Sequence, residues 1–387
     1  MVTVLLLIEL LDELVFGTRE AAWPLVRHDL HLSYGAIGLL LAVPQIGAAV
    51  IEPVMGVLAD AGWRRVLVVG GGVAFAASLA LTGVAWSFPT LLLAFVIFYP
   101  ASGAFVSLSQ ATLMDLDPAR RERHMARWTL AGSIGVVVGP LILTAALATG
   151  HGWRSAFLAC AVLTLPLVAL ARRAPHGVRP PTPVTAGVRT ALAALRTWRV
   201  LRWLVLLEAG DLVGDLLNGY LALYVVDSAG ARPAQAGIAI VVFTLAGLVG
   251  DALLLPLLTR VSGVAYIRAG ALGVLAAYPA FLLAPGFLPK LVPLALIGLL
   301  RAGWYAIAQA GLYAELPEAS GSVLVLTNVG GLLAGCFPLL FGVVADQAGV
   351  GTAMWLLLLG PAVMLVLGHR EGGGAQARDR APANDAL

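Results

Sequence analysis

Acidic side chains recur inside otherwise apolar stretches of this chain. In the first stretch, positions 9, 12, 13, 16 and 20 lie along steps of three or four residues, as do positions 208, 211, 215 and 218 further on. On a helix such steps form one polar stripe, which must face protein or water rather than lipid. A carboxylate withdrawn from water holds its proton more tightly and can exchange it near neutral pH. We therefore predict reversible protonation at six acids: Asp12, Glu13, Asp211, Asp215, Glu52 and Asp251.

A structural role for the same acids is the alternative interpretation. Arg19 and Arg301 could pair with two of them at most, and Arg301 is the only arginine expected deep inside an apolar segment. Glu9 and Glu208 could also lie near the membrane surface and be hydrated. A buried charge is costly unless it is paired, so unpaired acids retained at depth favour function.

Aromatic, amide and guanidinium groups accompany the acids and could form a ligand cavity. Together with several carboxylates they suit an organic cation or a polar neutral molecule. The candidate ligand-binding residues are Tyr99, Gln110, Asn218, Tyr220, Arg301, Trp304, Tyr305 and Gln309. The sequence contains no metal-ligand spacing and no phosphate-binding or nucleophile motif, so no cofactor, metal or catalytic site is expected.

The composition of the chain predicts which secondary-structure elements hold these side chains. Apolar residues make up 60% of the 387 positions and charged residues 12%, against about 25% charged in soluble domains. The chain is therefore predicted to be a membrane protein, its main partner the lipid bilayer. Twelve apolar segments, too long for barrel strands, are expected to be helices. They cover residues 2–26, 34–59, 66–86, 90–114, 126–149, 153–171, 201–226, 234–259, 264–284, 290–313, 321–345 and 351–369.

The two halves of the chain align at an offset of 199 to 200 residues. Glu9 and Asp12 match Glu208 and Asp211 at 199, while Gly47 matches Gly247 at 200. This repeat predicts an all-α membrane fold of two six-helix bundles related by a pseudo-two-fold axis along the membrane normal. The predicted domains are 1–171 and 201–369, joined by a basic, Pro-rich linker at 172–200 and followed by a disordered tail at 370–387.

The distribution of basic residues predicts the orientation in the membrane. With the N-terminus inside, eighteen of the 24 basic residues fall in cytoplasmic segments and five on the outer side. This positive-inside bias predicts a multi-pass protein of the cell membrane with both termini and the linker in the cytoplasm. The excess of basic residues is explained by membrane orientation, so no nucleic-acid partner is expected. The protein is also expected to act as a monomer.

The loop after the second segment reads GVLADAGWRRV and resembles the major facilitator superfamily of secondary transporters. The match rests on Gly56, Asp60, Arg64 and Arg65. Asp60 closes a helix at its C-terminal end, where the helix dipole disfavours an anion, so it needs partners. The resemblance implies that these residues form a latch between the halves, made in one conformation and broken in another. An ordinary hydrated helix end is the alternative.

The fifth segment contains a glycine pattern, GSIGVVVGPLI, similar to the motif associated with antiporters of the same family. Gly132, Gly135 and Gly139 would allow close helix approach, and Pro140 would deform the helix. The resemblance implies a proton-coupled exporter of small organic, cationic or drug-like molecules that works by alternating access. The alternatives are a proton symporter for a sugar or organic anion, with Arg301 binding the anion, and a non-transporting receptor or lipid-handling protein.

Overall fold

A computed structural model describes residues 2–116, 121–173, 193–315, 326–327, 330–332 and 334–368, with only the backbone given for Val57, Asp60, Asp115, 121–123, Ala126 and Leu255. The first half contains six helices: α1 (Val2–Asp29), α2 (Tyr34–Leu58), α3 (Arg64–Gly83), α4 (Phe88–Ser102, continued as Leu108–Leu116), α5 (Arg121–Ala148) and α6 (Gly152–Ala171). The second half contains α7 (Trp198–Asp211, continued as Leu217–Asp227), α8 (Pro233–Leu258), α9 (Gly263–Leu283), α10 (Phe287–Arg301, continued as Trp304–Glu315), α11 (described as a regular helix over Phe337–Ala348) and α12 (Val350–Leu367, with a 3₁₀ turn).

The twelve predicted segments therefore correspond to twelve helical spans in the described part of the chain. Ten of them are long and apolar enough to cross a membrane, and α1 and α7 are the two that carry the acidic stripes. The start of α7 at Trp198 lies inside the predicted linker 172–200, because Val200 is already buried in the first turn of the helix. Residues 174–192 of that linker and the tail from 369 lie outside the described residues.

Three helices, α4, α7 and α10, are interrupted along their length. In α4 a π-helical turn spans Gly103–Ser107, and in α7 another spans Leu212–Leu216. In α10 the helix breaks at Ala302 and at Gly303, which has a φ of +71°. π-Turns insert one extra residue into a helix and are common at functional sites.

Glycines bring α1 and α5 into close contact. A Cβ placed on Gly135 would meet the backbone oxygen of Leu10, and one on Gly139 would meet that of Leu14. On the facing helix, a Cβ on Gly17 would meet the backbone oxygen of Val136. Small residues permit this close packing without a hydrophobic driving force in lipid. The glycine pattern thus fixes how α1, and with it the first acidic stripe, is seated.

The two halves meet on the side of the bundle away from the chain ends. We call this side the far side. The opposite side, which holds Val2 and Leu367, is called the terminal side. On the far side Asp227 of α7 bonds Arg27 at 3.2 Å and Tyr34 at 2.8 Å. These residues and Asp346 of α11 form what we call the far-side cluster.

Toward the terminal side α2 becomes progressively exposed. Its side chains at Ile37 and Leu40 are fully buried, whereas Val50 is 60% and Val54 is 58% exposed. The described contacts between α2 and α11 lie on the far side and near the centre, where a Cβ on Gly38 would meet Pro338 and one on Gly335 would meet Ile46. Among the described residues, the halves are therefore joined on the far side and separate toward the terminal side.

The structure also fixes the register of the internal repeat. α2 and α8 begin at Tyr34 and Pro233, and α3 and α9 begin at Arg64 and Gly263, which is an offset of 199 in both cases. Gly38 of α2 and Gly237 of α8, also 199 apart, make matching contacts with the partner half. The identities found at an offset of 200 in the second segment, such as Gly47 with Gly247, are therefore chance matches between common residues.

Candidate transport site

A cavity of about 640 Å³ lies between the two halves near the centre of the bundle. Its walls come mainly from α1, α2 and α4 of the first half and from α7, α10 and α11 of the second. Cavities of 300–1,000 Å³ are the usual size for small-molecule sites. The lining is Glu13, Phe16, Gly17, Arg19, Glu20, Leu41, Gln45, Tyr99, Val136, Leu207, Glu208, Asp211, Leu212, Asp215, Leu216, Asn218, Gly219, Tyr305, Thr327, Gly331, Ala334, Phe337 and Pro338.

Carboxylates from both halves share this cavity. Glu13 reaches it from α1, and Glu208, Asp211 and Asp215 reach it from α7. Asp215 lies on the π-helical turn of α7 and its side chain is exposed to the space, while Asp211 is half-buried. The acidic stripes of the first and seventh segments are thus brought to one site, and three of the six predicted proton-binding residues line it.

The other three predicted acids are not among the residues that line the cavity. Asp12 is 6% exposed, and its Oδ1 accepts a hydrogen bond of 2.9 Å from the Ser102 hydroxyl. Glu52 packs beside Gly103, whose Cβ would lie 2.6 Å from a Glu52 oxygen. Asp251 of α8 is exposed. Helical phase turns Asp12 and Glu52 toward α4 rather than toward the cavity.

A buried ion pair between Arg19 and Glu20 forms part of the wall. Arg19 donates to Glu20 Oε1 at 2.5 and 3.2 Å and to the Tyr99 hydroxyl at 2.9 Å. Its guanidinium lies 4.5 Å from the Phe16 ring centre, and Trp23 donates to Glu20 Oε2 at 3.2 Å. The Arg19 side chain is 8% exposed inside the bundle. Position 20 falls on the polar stripe of the first segment, so the spacing in the sequence already indicated that Glu20 faces the interior.

Arg301 lies in the second half but does not line the cavity. Its guanidinium stacks over Phe243 at 4.6 Å. A Cβ on Gly214 would be 3.2 Å from its Nη1, so the group lies against the π-helical turn of α7. The prediction that Arg301 binds substrate directly is not supported by its position, because Arg301 is not among the residues that line the cavity.

The remaining ligand-binding candidates divide between cavity and core. Tyr99, Asn218 and Tyr305 line the cavity, and Asn218 Oδ1 has no hydrogen-bond partner among the described residues. Tyr220 is instead fully buried, with its hydroxyl donating to Pro338 O at 3.0 Å and its ring against Phe341.

Three further candidates also lie away from the lining. Trp304 is 2% exposed and packs against Gly270 of α9. The Gln110 amide contacts the Met125 sulfur at 3.7 Å, and Gln309 is half-buried on α10. Sequence spacing could not show which face of each helix meets the cavity, because the α4, α7 and α10 interruptions shift the phase.

The predicted latch lies at the terminal end of α2 and α3. The two helices are joined by a π-helical segment, Ala59–Trp63, in which Gly62 has a φ of +99°. That conformation favours glycine, which explains Gly62 in the motif. Gly56 has open space around it, Arg64 is 4% exposed and Arg65 is exposed. The side chain of Asp60 lies outside the described residues, so the latch stays a prediction.

Known proteins resemble this chain in fold and in sequence. A solved structure of the nucleoside transporter NupG superposes with a TM-score of 0.74 at 14% identity, covering 95% of this chain and 97% of that one. A bacterial homologue of the human lysosomal transporter Spinster, in an inward-facing and occupied conformation, gives a TM-score of 0.75 at 16% identity, covering 95% and 94%.

A curated relative is more similar in sequence over a shorter stretch. It is a chloramphenicol resistance protein of Streptomyces lividans, 30% identical over 229 residues. The match covers 57% of this chain and 57% of the relative, so the chain spans little more than half of that protein's length. The model of the Major Facilitator Superfamily matches residues 5–338, which is most of the chain. With its twelve helical spans and two repeated halves, the chain therefore belongs to the Major Facilitator Superfamily of multi-pass membrane transporters.

Proposed function

We propose that this protein is a proton-coupled exporter of small organic molecules, cationic or neutral and drug-like. The observation that carries the proposal is the convergence of acids from the repeat-related helices α1 and α7 on one cavity between the halves. Glu13 comes from α1, and Asp211 and Asp215 come from α7. A carrier that exchanges a proton for substrate needs carboxyl groups at the place where the substrate binds.

The charge of the cavity favours a cation or an uncharged ligand over an anion. Its arginine is already paired, because Arg19 bonds Glu20 and Tyr99. Four further carboxylates line the same space, those of Glu13, Glu208, Asp211 and Asp215. An anionic substrate would meet repulsion there, so the symport of an organic anion through Arg301 finds no support in the lining.

Aromatic side chains give the cavity its affinity for organic groups. Phe16, Tyr99, Tyr305 and Phe337 all line it. Their ring faces attract cations and stack on aromatic ligands. Chloramphenicol, a neutral aromatic amide with two hydroxyl groups, is the first substrate to test because of the Streptomyces relative. A lipophilic organic cation of similar size is the second.

Export follows from the orientation that we propose. The basic residues favour the cytoplasmic side for both chain ends, by eighteen to five. The halves separate toward that terminal side, so the described conformation would take up substrate from the cytoplasm. Release on the other side then requires the far-side cluster to open, as alternating access demands.

Flux into proteoliposomes tests the proposal. Vesicles with an acidic lumen in neutral medium are given radiolabelled chloramphenicol or tetraphenylphosphonium. A proton antiporter accumulates substrate as protons leave, and a protonophore abolishes the accumulation. Glu13→Gln and Asp211→Asn should reduce pH-driven uptake at least tenfold, whereas Glu315→Gln, at the end of α10 and outside the cavity lining, serves as the matched control.

Three other results of this assay would change the proposed function. Equilibration that is indifferent to the pH gradient would make the protein a uniporter or a carrier driven by another ion. Binding of either compound without flux would favour the non-transporting receptor. Uptake of a sugar or organic anion together with protons would overturn export in favour of symport.

A further inference from the structure

A second cavity lies on the far side of the second half. Its volume is about 380 Å³, and the ends of four helices bound it. Tyr224 lies near the end of α7, Leu282 near the end of α9, Lys290 near the start of α10 and Gly351 near the start of α12. We call this space the Lys290 pocket. It shares no lining residue with the transport cavity in the described part of the chain.

Lys290 brings one buried positive charge to the pocket. It is the only lysine of the sequence and is 4% exposed. Its Nζ donates to the Tyr224 hydroxyl at 2.9 Å and to the backbone oxygens of Phe281 and Leu282 at 2.8 Å each. All three acceptors are uncharged. Among the described residues Lys290 forms no ion pair, and no carboxylate lines the pocket.

The charge of Lys290 is therefore only partly compensated. A buried ammonium is costly unless an anion pairs with it. The oxygens of Phe281 and Leu282 belong to the last turn of α9, where the helix dipole supplies roughly half an elementary negative charge. This capping accounts for the position of the lysine in the fold. It leaves part of the charge, and the open space beside it, for an anion.

The hydrogen bonds allow the ammonium to turn toward a ligand. The Leu282 oxygen accepts from Lys290 and also from the Tyr224 hydroxyl, at 3.0 Å. If Lys290 moves one N–H from that oxygen to an anion, Tyr224 still satisfies the oxygen.

Further donors lie on another wall of the pocket. A Cβ on Gly351 would lie 3.2 Å from the Ser228 hydroxyl, so the two residues are adjacent. Gly351 belongs to the first turn of α12, where backbone N–H groups have no partner within the helix. An ammonium, a hydroxyl and such N–H groups are the donors that bind phosphate oxygens.

The rim of the pocket is apolar and exposed. Leu283 and Trp355 line the pocket and are 72% and 40% exposed, and Leu288 and Val292, one turn apart on α10, are 71% and 75% exposed. α10 is long and apolar enough to cross a membrane, so such a surface faces lipid. Lys290 lies three residues inside this span, which places it about 5 Å below the helix end. Tryptophan is enriched at this level, where lipid headgroups meet the acyl chains.

We propose that the Lys290 pocket binds the phosphate group of an anionic membrane lipid such as phosphatidylglycerol. The phosphate pairs with the Lys290 ammonium, and the acyl chains lie along Leu283 and Trp355. A soluble phosphate ion would meet the same donors but would gain nothing from the apolar rim. The site is separate from the transport cavity, so this inference does not depend on the proposed export.

Counting bound lipids tests the proposal. Native mass spectrometry of the full chain in a neutral detergent gives the Kd of the first bound dioctanoyl-phosphatidylglycerol. Lys290→Gln should raise this Kd at least about tenfold, because a charge-assisted hydrogen bond is lost. Arg232→Gln removes a charge from an exposed far-side residue outside the pocket lining and should leave the Kd unchanged. Dioctanoylglycerol, which lacks the phosphate, should bind the wild type at least about tenfold more weakly.

A second variant keeps Lys290 and its hydrogen bonds in place. Ala229 is exposed and lines the pocket, so Ala229→Trp fills the space without removing the cap of α9. It should raise the Kd as much as Lys290→Gln does, while the thermal unfolding midpoint stays near that of the wild type. This variant decides the question if Lys290→Gln does not fold.

Amine acetylation separates a lipid from a soluble anion. Because Lys290 is the only lysine, an amine-specific acetylating reagent modifies Lys290 and the N-terminal amine, which serves as the internal reference. Saturating dioctanoyl-phosphatidylglycerol should slow acetylation of Lys290 severalfold relative to that reference. Inorganic phosphate at millimolar concentration should leave the relative rate unchanged.

Three results would overturn the inference. One is a lipid Kd that is the same in the wild type and in the folded pocket variants. Another is equal binding of dioctanoylglycerol, which would reduce the contact to apolar adhesion. The third is protection of Lys290 by inorganic phosphate as strong as that by the lipid, which would assign the pocket to a soluble anion.

Discussion

Asp346 should hold the far side of the transporter closed. Its carboxylate accepts the backbone N–H of Tyr34 at 2.6 Å and that of Gly35 at 2.8 Å, so α11 of the second half caps the first turn of α2 in the first half. The Ser33 hydroxyl accepts the Ala36 N–H at 3.1 Å and would remain as a cap when Asp346 is lost. The variant Asp346→Ala should therefore weaken the contact between the halves rather than unfold α2.

The size of the effect follows from these contacts. A capping side chain contributes about 0.5–2 kcal/mol, and a negative charge at a helix N-terminus about 0.3–1 kcal/mol. Taken together, their loss should cost the far-side-closed conformation about 1–2 kcal/mol. Since 1.4 kcal/mol is a factor of ten, the population that is open on the far side should rise about 5- to 30-fold. Asp346→Asn, which keeps an acceptor but not the charge, should have a smaller effect.

Distances between spin labels measure this population. Trp86 of the first half and Leu283 of the second are 73% and 72% exposed on the far side and can carry the labels once Cys160 and Cys336 are replaced. The wild type should give one short-distance population, and Asp346→Ala should add a longer one.

A second far-side carboxylate provides the matched control. Asp29 bonds Arg154 and the Trp153 ring nitrogen, both of which belong to its own half. Asp29→Asn should therefore leave the distance distribution unchanged. The reasoning is refuted if Asp29→Asn shifts the distribution as much as Asp346→Ala, or if Asp346→Ala leaves it as in the wild type.

Four further predictions concern stability and topology. Arg19→Gln should destabilise the protein by about 3–5 kcal/mol because it leaves Glu20 buried without its cation, and the double variant with Glu20→Gln should recover much of that loss in a thermal unfolding assay. Tyr220→Phe should lower stability by about 1 kcal/mol while the substrate Kd stays unchanged, since its hydroxyl bonds Pro338 and not a ligand. Gly139→Val should sharply reduce folded protein on size-exclusion chromatography, because its side chain would collide with the α1 backbone. Thr185→Cys in the linker should resist an impermeant thiol reagent added outside intact cells, and labelling there would reverse the predicted orientation.

Part of the site could be predicted from the order of residues alone. The spacing of Glu13, Asp211 and Asp215 defines stripes on two repeat-related helices, and a charged stripe on an apolar helix must face the interior. The structure brings these three residues to one cavity. Likewise, the glycine spacing at 132, 135 and 139 predicts close helix packing, and the structure seats that face on α1.

Other assignments required the tertiary structure because they depend on which helix face meets which neighbour. Tyr220 and Asn218 are two residues apart, yet Asn218 lines the cavity while Tyr220 bonds Pro338 in the core. The π-helical turn at Leu212–Leu216 shifts the phase between them and the acidic stripe, and no sequence rule places such a turn. The sequence also did not show that Arg19 is paired inside the bundle. One of its partners, Glu20, is the adjacent residue, and the other, Tyr99, lies on a distant helix.

The sequence by itself determined the class, the twelve spans and the presence of two related halves. Hydrophobic length and the absence of water in lipid leave helices as the solution for such segments, so composition and spacing suffice. Only the tertiary structure decided that Ser102 faces Asp12 and that Arg301 is not among the residues that line the cavity. It also decided that the halves touch through Asp227 and Asp346 on the far side. Those are contacts between residues tens to hundreds of positions apart, and their partners are selected by packing that no local pattern encodes.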